Sequence, residues 1–167
     1  MRKVTVKKAW TKFMPENCVF VISIDKYGHP SGMIAGWSMK CSGTPPLFTV
    51  ALSKNGYTHK LIKKSKEFVI AVPNKELEKE LILFGTTHGN EVNKFIKTNL
   101  KTRKAQFIKT PLLKDATVNF ECKLIRTIIP GDHYIFIGEI VAAYINDNKK
   151  VLLNMGRKNG RRVFKEF

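Results

Sequence analysis

The sequence predicts a mainly β protein with short helices, folded as a closed or partly closed antiparallel barrel. Short apolar, β-branched runs recur along most of the chain, and turn motifs such as DKYGHP and PGDH separate them. Helical spacing is confined to the middle of the chain, between the early and the late strands. Because no repeat or low-complexity linker divides the 167 residues, we expect one domain over residues 1–167.

Four strands are predicted in the first half of the chain. Cys18–Ile24 (CVFVISI) is a buried strand that ends at a turn. Gly32–Cys41 and Leu47–Ser53 are joined by the tight SGTPP corner. Glu67–Val72 (EFVIAV) is the fourth strand. Together they give half of an antiparallel barrel.

Three segments show helical spacing. Tyr57–Lys66 is a short amphipathic helix, because apolar and small residues recur at i,i+4. Asn74 is positioned to cap a second helix, which follows Pro73. The third follows the GTTHGN loop at Gly85–Asn90. The apolar faces of the second and third helices consist of Leu77, Leu81 and Phe84, and of Val92, Phe95 and Ile96.

The second half of the chain returns to strands after an irregular segment. Residues 99–116 are polar, contain Pro111, and are predicted to form a long surface excursion. The predicted strands that follow are Val118–Ile129, Tyr134–Ile145, Val151–Met155 and Arg162–Phe167.

The net charge of +17 is the strongest compositional signal. The basic residues are scattered along the chain, and GRKNGRR is their only dense cluster. Scattered charge of this kind favours a charged surface that attracts small anions over nucleic-acid binding. No apolar run approaches the roughly 18 residues of a membrane span, and no signal peptide follows the basic start, so we expect a cytoplasmic protein.

Cysteine and histidine spacing indicates neither a disulfide framework nor a metal site. Cys18, Cys41 and Cys122 are far apart and form no CxxC pair, and the four histidines show no metal-binding spacing. Cys41 and Cys122 lie in apolar stretches, where a small buried hydrophobic side chain is expected.

The start of the predicted helix after Leu47–Ser53 is a candidate anion site. Its first residues present free backbone N–H groups, and the helix dipole also favours negative charge there. Neighbouring side chains add a hydroxyl and a positive charge. A simple surface helix capped by Asn55 is the alternative. The candidate residues are Ser53, Lys54, Tyr57, Thr58 and His59.

The segment Ala35-Gly36-Trp37-Ser38-Met39 suggests a second part of the same site. Glycine inside a strand often marks the close approach of a ligand, and small residues expose backbone groups that can hydrogen-bond a flat heteroaromatic ring. The alternative is that Trp37 is a core residue for which Gly36 makes room. Combined with the anion site, the segment predicts a phosphate-bearing planar cofactor.

Five ordered blocks between Pro15 and Ile145 resemble the flavin reductase-like, FMN-binding split-barrel family. They are GMIAGWSMKCSGTPPLFTVAL, YTHKLI, SKEFVIAVP, FGTTHGNEVNKF and FECKLIRTIIPGDHYIFIGEIV. The AGW core, the Thr-His pair and the GxxVxKF pattern are most similar to the flavoredoxin-type branch.

The resemblance implies a split β-barrel that dimerises and holds FMN without a covalent link. The isoalloxazine edge would be hydrogen-bonded, largely through the backbone, by Ala35, Gly36, Trp37, Ser38 and Met39, and the cofactor would also touch Cys41 and Ser42. The phosphate and ribityl chain would be surrounded by Ser53, Lys54, Tyr57, Thr58 and His59. The flavin would be covered by Gly89, Asn90 and Lys94. The resemblance also implies that His133, after Gly-Asp, faces the flavin where a nicotinamide stacks.

Two functions follow from the resemblance. The first is an FMN-dependent oxidoreductase that takes hydride from NADH or NADPH and passes electrons to a flavin, a ferric complex or a protein. The second is a flavoredoxin-like electron carrier with little NAD(P)H activity. Because the sequence lacks GxGxxG, a nicotinamide would share the flavin pocket. The charge suits an acidic redox partner, and the apolar runs VFVISI and YIFIGEIV suggest a homodimer.

Overall fold

Eleven β-strands and four α-helices make up the chain, which a computed structural model describes over all residues, 1–167. In order they are α1 (Val6–Trp10), β1 (Val19–Ile24), β2 (Pro30–Ala35), β3 (Ser38–Gly43), β4 (Pro46–Ser53), α2 (Thr58–Ser65), β5 (Glu67–Val72), a 3₁₀ turn (Lys75–Leu77), α3 (Glu78–Thr86), α4 (Lys94–Thr98), β6 (Thr102–Arg103), β7 (Leu112–Leu113), β8 (Val118–Ile128), β9 (His133–Ile145), β10 (Leu152–Lys158) and β11 (Arg161–Glu166).

Seven of the strands form one sheet in the order β2-β1-β5-β8-β9-β4-β3, and every pairing in it is antiparallel. The two edge strands, β2 and β3, are consecutive in the chain and are joined only by Gly36 and Trp37. Three Cα–Cα steps span at most about 11 Å, so the sheet must curl until its edges are neighbours. The mainly β, partly closed barrel predicted from the sequence is confirmed.

The prediction of a single strand over Gly32–Cys41 was wrong. The chain leaves the sheet after Ala35 and re-enters it at Ser38, whose backbone N–H donates to Gly36 O at 3.0 Å. Trp37 O accepts from Ala51 N at 2.9 Å, which holds the crossing against β4. The Gly-Trp pair therefore carries the chain from one edge of the sheet to the other.

Strand β1 is buried on both faces, which explains its continuous apolar sequence. Val19 and Val21 point into the barrel interior, where they join a cluster with Phe68. Phe20 and Ile22 belong to a second cluster on the outer face of the sheet, beneath the helices and the C-terminal hairpin. Burying a side chain of this size stabilises the fold by roughly 1.5–3 kcal/mol.

The helices largely follow the predicted starts. Asn74 caps the second helical segment as predicted, accepting from Glu76 N at 3.0 Å, although a 3₁₀ turn precedes α3. Helix α4 begins at Lys94 and is capped by Asn93, so Val92 lies outside it. Helix α1 was not predicted, because five residues at the N-terminus show too little periodicity.

Residues 99–116 are mostly irregular, as predicted, but they are not purely a surface excursion. Ala105, Ile108 and the β7 leucines are buried in the outer core cluster. The carboxylates of Glu67 and Glu121 hold the segment to the sheet, and Glu67 accepts from the backbone N–H groups of Lys109 and Thr110. Glu121 accepts from the backbone N–H groups of Gln106 and Phe107, both at 2.7 Å.

The cysteines lie in different environments. Cys18 and Cys122 are buried, and burial raises the pKa of the Cys18 thiol to about 12. The prediction that Cys41 is buried was wrong. Strand β3 is an edge strand with a register shift between Lys40 and Ser42, which leaves the intervening thiol exposed. None of the helices has the length and apolar character needed to cross a membrane.

Candidate functional site

Two aromatic rings meet where β4 ends and β9 begins. His133, the first residue of β9, lies opposite Ser53 in the ladder. The imidazole ring packs against the indole of Trp37 with ring centroids 4.7 Å apart. His133 Nδ1 hydrogen-bonds to Asp132 Oδ1 at 2.7 Å, and this bond lowers the pKa of the Asp132 carboxyl. We call Trp37 and His133 the aromatic platform.

A cavity of about 670 Å³ opens beside the platform, between the Gly36–Ser38 crossing and the N-terminal segment Trp10–Asn17. A Cβ atom at Gly36 would lie 2.7 Å from Glu16 Oε1, so a larger residue at this position would require the Glu16 side chain to move. The buried hydroxyl of Ser38 has no hydrogen-bond partner. Because β3 is an edge strand, the outward-facing backbone groups of this segment lack a neighbouring strand.

A second cavity, of about 230 Å³, lies at the start of α2. No side chain caps this helix end, so Asn55 does not play the capping role that the sequence left open. Among the residues around the cavity, the ionisable groups able to carry positive charge are His88, Lys94 and Arg162, and there is no Asp or Glu. We call this cavity the basic cleft. Predicted site residues that line it are Ser53, Tyr57, Thr58, Gly89 and Lys94.

Lys94 lines the basic cleft and also links two elements of the fold. It is 3% exposed, and its ammonium group donates to Gly32 O at 3.1 Å and to Phe84 O at 2.9 Å. Burial lowers the pKa of Lys94 to about 8. The side chain therefore joins β2 to α3, and both of these elements contribute residues to the cleft wall.

His59 is in the first turn of α2 but does not line the basic cleft. Its Nε2 pairs with Lys54 O at 2.9 Å, its ring stacks on Tyr134 at 4.7 Å, and its buried Nδ1 has no partner. Burial is the main cause of a lowered His59 pKa, and the charges of Lys63 and Lys60 add to it. A neutral imidazole therefore supports the loop before α2.

The other predicted residues are more dispersed. Ala35 is a core residue. Lys54 is near the platform through its backbone, whose N–H donates to Asp132 O at 3.1 Å. Asn90 lies in a neighbouring cleft next to Gly89, where a Cβ would collide with Ser31 Oγ. Residues on the edge strand outside the linings of both cavities are Met39, Cys41 and Ser42.

Several residues of the site were not predicted from the sequence. Arg162 reaches the basic cleft from β11, although it is far from α2 in sequence. Its signal was the GRKNGRR cluster, which was treated as surface charge. Trp10 lies edge-on to Trp37 with ring centroids 5.7 Å apart, and no local sequence pattern indicated this contact.

The chemistry of the two regions suits a planar group that carries a phosphate. The basic cleft offers cations, an uncapped helix start and the Thr58 hydroxyl, with no carboxylate to repel an anion. The adjoining edge strand offers free backbone groups and the unpartnered Ser38 hydroxyl. Ser53 connects the basic cleft to the aromatic platform, because it lines the cleft and lies opposite His133 in the β4–β9 ladder.

A family model for the flavin reductase like domain matches residues 11–161. The chain belongs to this family, as the ordered sequence blocks predicted.

The relatives that match the sequence include one uncharacterized protein and two proteins with redox names. An uncharacterized protein of Archaeoglobus fulgidus is 39% identical over 67% of this chain and 63% of its own length. A high molecular weight rubredoxin of Moorella thermoacetica is 31% identical over 76% and 55%. A ferric-chelate reductase (NAD(P)H) of A. fulgidus is 29% identical over 80% and 79%. The alignment covers 63% of that first A. fulgidus relative, and 63% and 49% of two further uncharacterized proteins, from Pyrococcus abyssi and Aeropyrum pernix, so the chain spans between about half and two thirds of these relatives.

Solved structures share the fold along nearly the whole chain. An NADH:FAD oxidoreductase of Streptomyces globisporus superposes with a TM-score of 0.84 at 25% identity, covering 100% of this chain and 98% of that one. A flavoredoxin of Methanosarcina acetivorans gives a TM-score of 0.81 at 22% identity, covering 100% and 89%. The split-barrel fold is therefore shared with FMN-binding and flavin reductase proteins.

Proposed function

We propose that this flavin reductase-like protein is an FMN-dependent oxidoreductase. It binds FMN without a covalent link, accepts hydride from NADH or NADPH, and passes electrons to a flavin, a ferric complex or a protein. The observation that carries the proposal is the position of Ser53, which lines the basic cleft and lies opposite His133 of the aromatic platform in the β4–β9 ladder. A phosphate in the cleft would direct the rest of the cofactor toward Trp37 and His133.

The chain's own groups would bind and orient the reactants. Thr58 and the α2 amides would hold the phosphate, and Lys94 would keep the cleft walls in place through Gly32 and Phe84. FMN, when bound, supplies the ring that accepts hydride. Hydride transfer depends mainly on the distance and alignment of the two reacting rings, so a rigid platform is the useful contribution of the protein.

The aromatic platform is the proposed binding surface for the nicotinamide. The Asp132 hydrogen bond fixes the orientation of the His133 ring, and the Trp37 indole supports its face. Since Trp10 and the N-terminal segment border the adjoining cavity, they would exclude water from one side of the platform. The reductase names of the relatives support this assignment.

An electron carrier that receives electrons from another protein is the second candidate. It is favoured by the net charge of +17, which would attract an acidic redox partner, and by the relative named as a rubredoxin. In this case the platform would shield the flavin and would not bind a nicotinamide.

Anaerobic mixing separates the candidates. The purified protein is saturated with FMN and mixed with NADH or NADPH while the flavin absorbance is recorded. Rapid bleaching supports the reductase. Absence of bleaching, in a sample that dithionite still reduces, supports the carrier. A protein that gives no flavin spectrum on titration with FMN would exclude both.

A further inference from the structure

The C-terminal hairpin places one cation in the basic cleft. Strand β11 pairs with β10 outside the seven-stranded sheet, and Arg162 of β11 lines the cleft together with the start of α2. Its side chain is partly buried, whereas its neighbour Arg161 is exposed. Adjacent residues on a strand point to opposite faces, so only one of the two arginines reaches the cleft.

The guanidinium of Arg162 has no counter-ion in the chain. It takes part in none of the four ion pairs and in none of the side-chain hydrogen bonds. By contrast, Arg157 on the same hairpin donates to Gly160 O at 2.9 Å. A partly buried arginine without a carboxylate partner is costly unless an anion is bound.

The lining of the cleft selects for negative charge. Each of four other cavities contains at least one carboxylate, from Glu16, Asp25, Asp147 or Glu67. The basic cleft contains none. Thr58 is only 2% exposed and lines the cleft, and its hydroxyl hydrogen-bonds to no other group of the chain. An acceptor in the cleft would therefore satisfy both Thr58 and the uncapped end of α2.

We propose that Arg162 is a specificity-determining residue that selects a phosphorylated flavin. Its guanidinium and the Thr58 hydroxyl bind the terminal phosphate from opposite ends of the chain, and the α2 amides complete the site. Arginine suits this role because its planar fork can bond two phosphate oxygens at once. The inference rests on the proposed flavin binding and adds the residue that distinguishes FMN from riboflavin.

The test compares the two flavins on matched variants. Apo protein is titrated with FMN and with riboflavin, and binding is followed by quenching of flavin fluorescence. Loss of a charge-assisted phosphate contact weakens FMN binding about ten- to a hundredfold in Arg162→Ala. Riboflavin binding stays within about threefold of the wild type, because riboflavin has no phosphate to lose. Arg161→Ala, the exposed neighbour, leaves both affinities unchanged, and Arg162→Lys restores part of the loss.

The outcomes separate this inference from the proposed function. If the wild type binds neither flavin, flavin binding is wrong and the inference falls with it. If flavins bind but Arg162→Ala leaves the FMN-to-riboflavin affinity ratio unchanged, the inference alone is overturned. An equal loss for both flavins would also overturn it, because the effect would then be structural. Riboflavin binding also serves as the check that the variant is folded.

Discussion

The imidazole of His133 packs against the indole of Trp37 with the two ring planes tilted by 37°, although 95 residues of the chain lie between them, and its Nδ1 hydrogen-bonds to Asp132 Oδ1. In the proposed function, this ring would contact the nicotinamide and would not hold the FMN.

Replacing His133 by Ala should slow flavin reduction while leaving FMN affinity nearly unchanged. One positioning contact is worth about 1–3 kcal/mol, so we expect a reduction rate roughly ten- to a hundredfold lower in stopped-flow mixing of FMN-saturated protein with NADH or NADPH. His29→Ala is the matched control, because His29 forms a similar pair with Asp25 on an exposed turn. A normal rate in His133→Ala would assign His133 a purely structural role.

Lys94 should make stability depend on pH in the alkaline range. Its folded pKa of about 8 is below its ordinary value of 10.5, so between these values the unfolded chain binds more protons. The free energy of unfolding should therefore rise with pH in this window, by up to about 2 kcal/mol between pH 8 and 9.5. Below pH 8 both states are protonated and the cost of burying the charge is fully present.

Urea unfolding of wild type and Lys94→Met at pH 7.5 and 9.5 measures this effect. The variant has no ammonium group at this position, so it should lack the rise that the wild type shows. Lys97→Met, an exposed change on the same helix, should retain it. Identical pH profiles for Lys94→Met and the wild type would show that Lys94 titrates normally.

Glu121 should stabilise the 99–116 segment and lose this effect in acid. Burial raises the pKa of its carboxyl, but hydrogen bonds from Gln106, Tyr144 and Phe107 outweigh burial and lower it below the ordinary 4.5. The stabilisation is thus fully present above pH 4.5 and disappears as pH falls through the lower folded pKa.

Glu121→Gln should reduce the free energy of unfolding at pH 7 by about 2–3 kcal/mol, since charged hydrogen bonds become neutral ones. The difference from the wild type should shrink on acidification. Hydrogen exchange should localise the loss to the amides of residues 106 and 107. The exposed Glu166→Gln is the control, and equal protection of these amides in both variants would contradict the prediction.

A homodimer remains a prediction, with a different structural basis from the sequence argument. VFVISI is completely buried within one chain, so it offers no surface for association. The exposed apolar residues near the end of β8 are better candidates: Ile125, Ile128 and Ile129. We expect sedimentation at micromolar concentration to show a dimer that weakens at low salt, because each subunit carries +17.

Ile128→Lys with Ile129→Lys should shift the dimer to monomer. Ile145→Lys, at the opposite end of β9 and also exposed, should not. A monomeric wild type, or a double variant that remains dimeric, would refute this interface.

Local patterns were sufficient to predict most strands and the capped start of the second helical segment. The apolar run of β1 and the Asn74 cap each depend on neighbours within a few residues, and both are where the sequence indicates. Gly36 and Trp37 were misassigned because their turn is set by the curling of the whole sheet. No local signal distinguishes a strand that continues from one that changes edges.

The site was only partly predictable for a related reason. The start of α2 could be recognised because a helix end has its own chemistry. Arg162 could not, since its role depends on the packing of the C-terminal hairpin against a distant helix. The closing role of Lys94 over the flavin stays a prediction, and the two buried carbonyls that its ammonium group bonds are not identifiable from the sequence.

The attachment of residues 105–110 through Glu67 and Glu121 affects how freely this part of the chain can be redesigned. The two carboxylates accept mainly from main-chain N–H groups, including those of Gln106, Lys109 and Thr110, and the Thr110 hydroxyl is the one side chain of the segment that also donates to them. Lys109 is exposed and its side chain takes no part in this attachment. A cysteine at that position could carry a dye or a surface tether without loosening the barrel, whereas replacing either glutamate would loosen the segment.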